Sequence, residues 1–102
     1  MGFARSVQFV VKNGKVDEFK RLLSSEILPL MKKEKGFRLM LVGLDRQSGT
    51  SISMWDDRSD AEAFDTKAYP EIIKRLSAVL EGTPIVHMCE TVFTLIPDVV
   101  LA

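Results

Sequence analysis

Four runs of β-forming residues and two stripes of helical spacing follow one another in the order β-α-β-β-α-β, which predicts an α+β domain on one four-stranded antiparallel sheet. A hairpin signal joins the second and third runs. The predicted strands are apolar on both faces, and that predicts a homodimer.

Phe3 to Val11 alternates and is rich in Val and Phe, so it reads as the first strand. Lys12-Asn13-Gly14 breaks it, and Asn13 or a neighbour is placed to cap the helix that follows. From Val16 to about Glu34 the apolar residues, among them Phe19, Leu23, Ile27 and Met31, form one buried stripe. Pro29 lies inside this helix and has no N–H to donate to Ser25, which predicts a kink or restart. Gly36 is the natural stop.

Phe37 to Leu44 is the second strand, Asp45-Arg46-Gln47-Ser48-Gly49 the turn, and Thr50 to Trp55 the third strand. Ser59-Asp60-Ala61-Glu62 reads as a capping box opening the second helix. Pro70 suits the first turn of a new helical segment, so a break is expected between Thr66 and Tyr69. Ile72, Ile73, Leu76, Val79 and Leu80 continue the stripe, and Gly82 closes it. Thr83 to Leu95 is the fourth strand, ended by Pro97 and followed by the apolar tail Val99-Val100-Leu101. With right-handed crossovers this order gives a ferredoxin-like fold in which both helices cover one face of the sheet, and residues 1–102 form one domain.

A strand with one face in water should alternate apolar and polar residues. Here Leu39, Met40, Leu41 and Val42 run together, as do Phe9, Val10 and Val11, and Ile52 and Met54 lie opposite Trp55. Helices on one face leave the other as an apolar patch larger than monomers carry. Two sheets packed face to face remove it, and the tail after Pro97 is placed to reach the partner.

Other classes are excluded by composition. Fourteen Lys and Arg balance fourteen Asp and Glu, so no net field favours nucleic acid or an anionic membrane. A single cysteine, Cys89, rules out an internal disulfide and a cysteine-based zinc site. No apolar run reaches the roughly 18 residues that span a bilayer, and the N-terminus lacks a secretory h-region. Met1-Gly2 with Ser6 matches the minimal myristoylation pattern, but strand sequence begins at once and leaves no free arm. The expectation is a cytoplasmic protein with no metal and no cofactor.

Several segments resemble antibiotic-biosynthesis-monooxygenase-like domains over about residues 3 to 95. They are Val11-Lys12-Asn13-Gly14-Lys15-Val16-Asp17-Glu18-Phe19, then Ile27-Leu28-Pro29-Leu30 with Lys35-Gly36-Phe37. Met54-Trp55-Asp56 with Ala61-Glu62-Ala63-Phe64 and Ala68-Tyr69 completes the likeness. The resemblance implies a dimeric α/β barrel, in agreement with the two-faced strands. It does not imply one activity, because that superfamily holds cofactor-free oxygenases of polycyclic aromatic substrates, haem-degrading enzymes, isomerases and proteins of unknown role. Haem-degrading members use an asparagine on strand 1, a tryptophan ending strand 3 and a histidine in helix 2. Here Val7 falls near the first position, Trp55 keeps the second, and Ile73 falls near the third. Anthrone-type oxygenases have an asparagine four residues before that tryptophan and an arginine in helix 2; here Ser51 and Arg75 fall near those positions.

Trp55 is placed to stack on a planar substrate or donate its indole N–H, with core packing as the plainer role. Ser51 and Ser53 share its side of the strand by period two, a polar strip suited to a pocket between sheet and helices. Phe64, Tyr69 and Ile73 are expected to line that pocket, Tyr69 as a lid near the helix break. Arg5 is a candidate to pair a ligand carboxylate or phenolate, against the simpler reading of a surface salt bridge. His87, alone in titrating near neutrality, is the candidate general base, against a satisfied or solvent-facing strand histidine. Cys89, on the same face, reads as packing. Two functions follow: cofactor-independent oxidation of a small planar aromatic substrate, with Trp55 and His87 as catalytic candidates, or a non-catalytic ligand-binding or stress-associated homodimer.

Overall fold

The computed structural model describes residues 2–95, so Pro97 and the apolar tail expected to reach a partner lie outside the described residues. Strand β1 spans Phe3–Val11, and β2, Phe37–Asp45, is joined to β3, Ser48–Trp55. Strand β4 spans Leu80–Glu90, and the sheet order is β2-β3-β1-β4 with every neighbour antiparallel. This is the ferredoxin-like α+β arrangement expected from the element order.

The first helical arm is α1, Val16–Leu22, then a π-helical turn, Leu23–Ile27, then α2, Leu28–Lys32. Its beginning is not capped by Asn13: Lys15 holds the N-cap position without a side-chain bond, after a turn in which Gly14 takes φ 76°. Left-handed backbone at that point favours glycine. The kink expected at Pro29 takes the form of the π-helical turn. Proline lacks the N–H of an α-turn and its ring crowds the carbonyl four residues back, and one extra residue in the turn relieves that crowding. Leu28 N–H accordingly bonds to the Leu23 carbonyl five residues earlier, and Ser25 Oγ donates to Arg21 O at 2.7 Å.

The hairpin is tighter than expected. Asp45 pairs with Ser48, so only Arg46 and Gln47 form the loop, and Arg46 adopts φ 58°. Gln47 ties the turn to β1: its carbonyl accepts Val11 N–H, and its side-chain amide donates to Val11 O, both at 2.8 Å.

The second arm is α3, Arg58–Lys67, and α4, Tyr69–Leu76, broken at Ala68 with Pro70 in the first turn of α4. The expected capping box is displaced. Asp57, not Ser59, caps α3, accepting Asp60 N–H at 3.0 Å and the Ser59 hydroxyl at 2.7 Å. An aspartate two residues upstream offers the stronger charge-assisted acceptor at the positive helix end. These bonds, Asp60 N–H foremost, hold the Asp57 carboxyl below its ordinary value of 3.8. A depressed folded pKa contributes stability that is present above the ordinary value and lost as pH falls through the folded one. Asp57→Ala is therefore expected to lower the melting midpoint at neutral pH, with the gap to wild type closing in acid. Thermal scans across pH check this, and a gap unchanged in strong acid would count against the assignment.

Gly82 does not end the helix. Helix α4 stops at Leu76, and Gly82, at φ 69°, sits inside β4. Gln8 pairs with Ile85 and Val10 with Glu81, so Gly82, Thr83 and Pro84 bulge opposite Phe9. A positive-φ glycine and a proline with no N–H are the residues a bulge tolerates. Strand β4 also ends at Glu90, short of the expected Leu95: β1 ends beside it at Phe3, and the bond from Thr91 N–H to Gly2 O at 3.0 Å follows the last paired residues.

The sheet faces differ. Beneath the helices lie Phe3, Val7, Val11 and Trp55, closed over by Phe19, Ile27, Met31, Phe64, Ile72 and Leu76. The opposite face carries Leu39 (51% exposed), Leu41 (52%), Ile52 (36%) and Ile85 (69%).

Candidate functional site

A cleft of about 50 Å³ lies between the sheet and the two helical arms. Arg5 and Val7 of β1 and Ser51 and Ser53 of β3 form its floor, and Leu23, Ile27 and Met31 form one wall. Phe64 of α3 with Tyr69, Ile72 and Ile73 of α4 forms the other. At roughly 10–15 Å³ of such space per water, it has room for a few waters.

Arg5 alternates in phase with Phe3 and Val7, so the strand geometry points it under the helices. It is 3% exposed, not the surface residue of the simpler sequence reading, although it does make a salt bridge. Nε and Nη2 both donate to Asp65 Oδ1, at 3.1 and 2.7 Å, and the guanidinium carbon lies 3.9 Å from the centre of the Tyr69 ring. A buried cation requires a counter-charge, and Asp65 supplies it from the last turn of α3. Sequence reasoning missed Asp65. The available signal was Arg5 itself: a cation on the core-facing parity of a strand demands an acid on the covering helix.

Tyr69 opens α4 immediately after the Ala68 break. Its hydroxyl is buried, with the Arg5 guanidinium approaching its oxygen, and its O–H donates to no described residue. Burial pushes the phenol pKa above its ordinary 10.0, with the Arg5 charge opposing. The tyrosine therefore stays protonated and able to donate across the physiological range.

Trp55 does not line the cleft. It is 1% exposed, packed 4.8 Å from Phe64 and 5.6 Å from Phe37 between ring centres. Its Nε1–H donates to Ser53 Oγ at 2.9 Å, so the indole reaches the cleft only through that hydroxyl. Ser51, Ser53, Phe64, Tyr69 and Ile73 do come together around the cavity. Arg75 does not. It lies on the outer side of α4, donating from Nη1 to Glu26 Oε1 at 2.9 Å and ion-paired with Glu71. His87 pairs across to Ser6 on the open face of the sheet, exposed and on the side away from the cleft, and Cys89 is exposed beside it. Register parity accounts for both, since Val86 and Met88 take the covered side of β4. Among the described residues no histidine and no carboxylate therefore lines the cleft.

No protein-family model and no curated protein matches the sequence. Solved structures match closely in shape. A protein of unknown function from Nitrosomonas europaea superimposes with TM-score 0.78 at 17% identity, over 95% of each chain. The monooxygenase from the gene ActVA-Orf6 of Streptomyces coelicolor, in complex with nanaomycin D, gives TM-score 0.75 at 16% identity, over 95% of this chain and 93% of that one. SnoaB, a cofactor-independent oxygenase from Streptomyces nogalater, gives 0.74 at 17%, over 92% and 96%. The fold is thus that of antibiotic-biosynthesis-monooxygenase-like domains, as the sequence resemblance implied. Among the described residues no helix is long and apolar enough to cross a membrane.

Proposed function

We propose that this protein acts as a homodimer that binds a small planar aromatic molecule in the cleft of each subunit and oxidises it with dioxygen, without a cofactor. The observation that carries this reading is a single buried cation, Arg5, in the floor of an otherwise apolar cleft walled by aromatic rings. Asp65 offsets the net charge, but the guanidinium edge it leaves open donates more strongly to the anionic form of a ring substrate than to the neutral one, most of all inside a low-dielectric wall. The anion is the form that passes an electron to oxygen. For an anthrone the balance is a ring CH2 and O2 giving a ring ketone and water; for a quinol, the quinone and hydrogen peroxide. SnoaB and the ActVA-Orf6 protein, which share the fold, add support for a cofactor-free oxygenase. Dimerisation through the open sheet face is supported by the exposed Leu39, Leu41, Ile52 and Ile85.

A test panel of anthrones and quinols, followed by oxygen uptake, is expected to give turnover. Arg5→Met should reduce it by about tenfold or more, the scale of losing a charge-assisted contact to the reacting anion. A second reading, non-catalytic binding, is favoured by a lining in which no described residue is a histidine or carboxylate that could act as a base. Retention of a panel member with no oxygen uptake would establish that reading instead.

A further inference from the structure

We propose that Arg5 and Tyr69 form a receptor for the carboxylate of a small aromatic acid, with the acid's ring directed into the apolar part of the cleft. This rests on the reading of the cleft as a ligand site and names the class of ligand it takes.

The guanidinium has five N–H donors in a planar fork. Asp65 engages one edge only, Nε and Nη2, through a single oxygen. Nη1 donates to no described residue, although Arg5 is 3% exposed. The end of the fork, where Nη1 and Nη2 carry parallel N–H bonds, is the edge that matches the two oxygens of a carboxylate. Tyr69 supplies a second unused donor: its hydroxyl is buried and donates to no described residue, and its ring is stacked against the same guanidinium. A buried donor left empty costs free energy, so the Tyr69 hydroxyl beside a guanidinium edge that Asp65 leaves open marks a place where an acceptor belongs. A phenolate offers one oxygen to this set and a carboxylate offers two.

A single ring is the smallest aromatic probe of the cleft. The cleft measures about 50 Å³, against the ~150 Å³ cavity known to accept benzene, so the ring must displace side chains. Met31 and Met40 line the cleft, and unbranched thioethers repack at low cost.

The test is titration calorimetry at neutral pH with benzoate, benzyl alcohol and acetate, backed by the fluorescence of the single tryptophan, Trp55. Benzoate is expected to bind at least about tenfold tighter than either competitor, the scale of a charge-assisted hydrogen-bond pair. Arg5→Met should bring benzoate down to the level of benzyl alcohol. Tyr69→Phe keeps the ring and its packing, and should weaken benzoate about three- to tenfold while leaving benzyl alcohol unchanged. Equal affinity for benzoate and benzyl alcohol in the wild-type protein would overturn the proposal, as would a benzoate preference that survives in Arg5→Met or is untouched by Tyr69→Phe. The binding assay involves no oxidation, so loss of the benzoate preference with anthrone turnover intact removes only this inference. A benzoate preference without turnover removes only the catalytic reading.

Discussion

Trp55→Ala is expected to lower the unfolding free energy by about 3–5 kcal/mol, the range for truncating a large buried aromatic. Trp55 is among the largest fully buried side chains and lies against Phe37 and Phe64, on the β3 end nearest α3. The surrounding rings are held by strand and helix backbone, so the space left behind can collapse only in part. Ser53 Oγ also loses the donor that approaches it at 2.9 Å. Against a total stability of about 5–15 kcal/mol for a domain, this is a large fraction. Urea denaturation measures it, and a loss under about 1 kcal/mol would mean the indole is not the packing element described. Trp55→Phe keeps most of the volume, so a loss of about 1–2 kcal/mol is expected, from the hydrogen bond and the smaller ring.

Leu41→Asp is expected to convert the proposed dimer into a monomer in sedimentation. Leu41 lies on the uncovered face of β2, paired with Ile52 of β3 and two residues from Leu39. In a two-fold interface one substitution places two carboxylates, and each unpaired charge costs at least about 2 kcal/mol to desolvate. About 4 kcal/mol in all corresponds to a roughly thousandfold weaker association. Leu41 is 52% exposed in the single chain, so the fold of the subunit should survive with its far-UV spectrum unchanged. A dimer undisturbed by this change would place the contact elsewhere, for instance on the exposed Val92 and Phe93 beyond β4.

The strand order, the hairpin, the Pro29 irregularity and the break before Pro70 were all legible in the chain, because each depends on local periodicity or on what proline and glycine allow. Where expectation failed, the deciding contact was not local. Gly82 has the composition of a helix stop, yet it serves a bulge because Phe9 on the neighbouring strand sets the register there. Strand β4 ended early, where its neighbour runs out at Phe3. The cap is the exception: it moved from Ser59 to Asp57 through a local bond to Asp60 N–H, between two candidates that sequence alone scarcely separates.

The same division runs through the site. Period-two alternation placed Arg5, Ser51 and Ser53 on one side of the sheet, and the structure has all three in the cleft floor. His87 was singled out by its chemistry rather than by its parity, and the register puts it on the opposite face. Arg75 was placed by counting along a helix, and the rotation of α4 turns it outward to Glu26. By itself the sequence determined the βαββαβ order and the two apolar faces of the sheet, since residue type and period act over a few neighbours. Only the tertiary structure decided that Asp65 pairs with Arg5, that Tyr69 lies under the guanidinium, and that Trp55 fills the core beside the cleft. Those facts depend on how far each helix slides and turns over the sheet, and that is settled by packing between residues sixty or more positions apart.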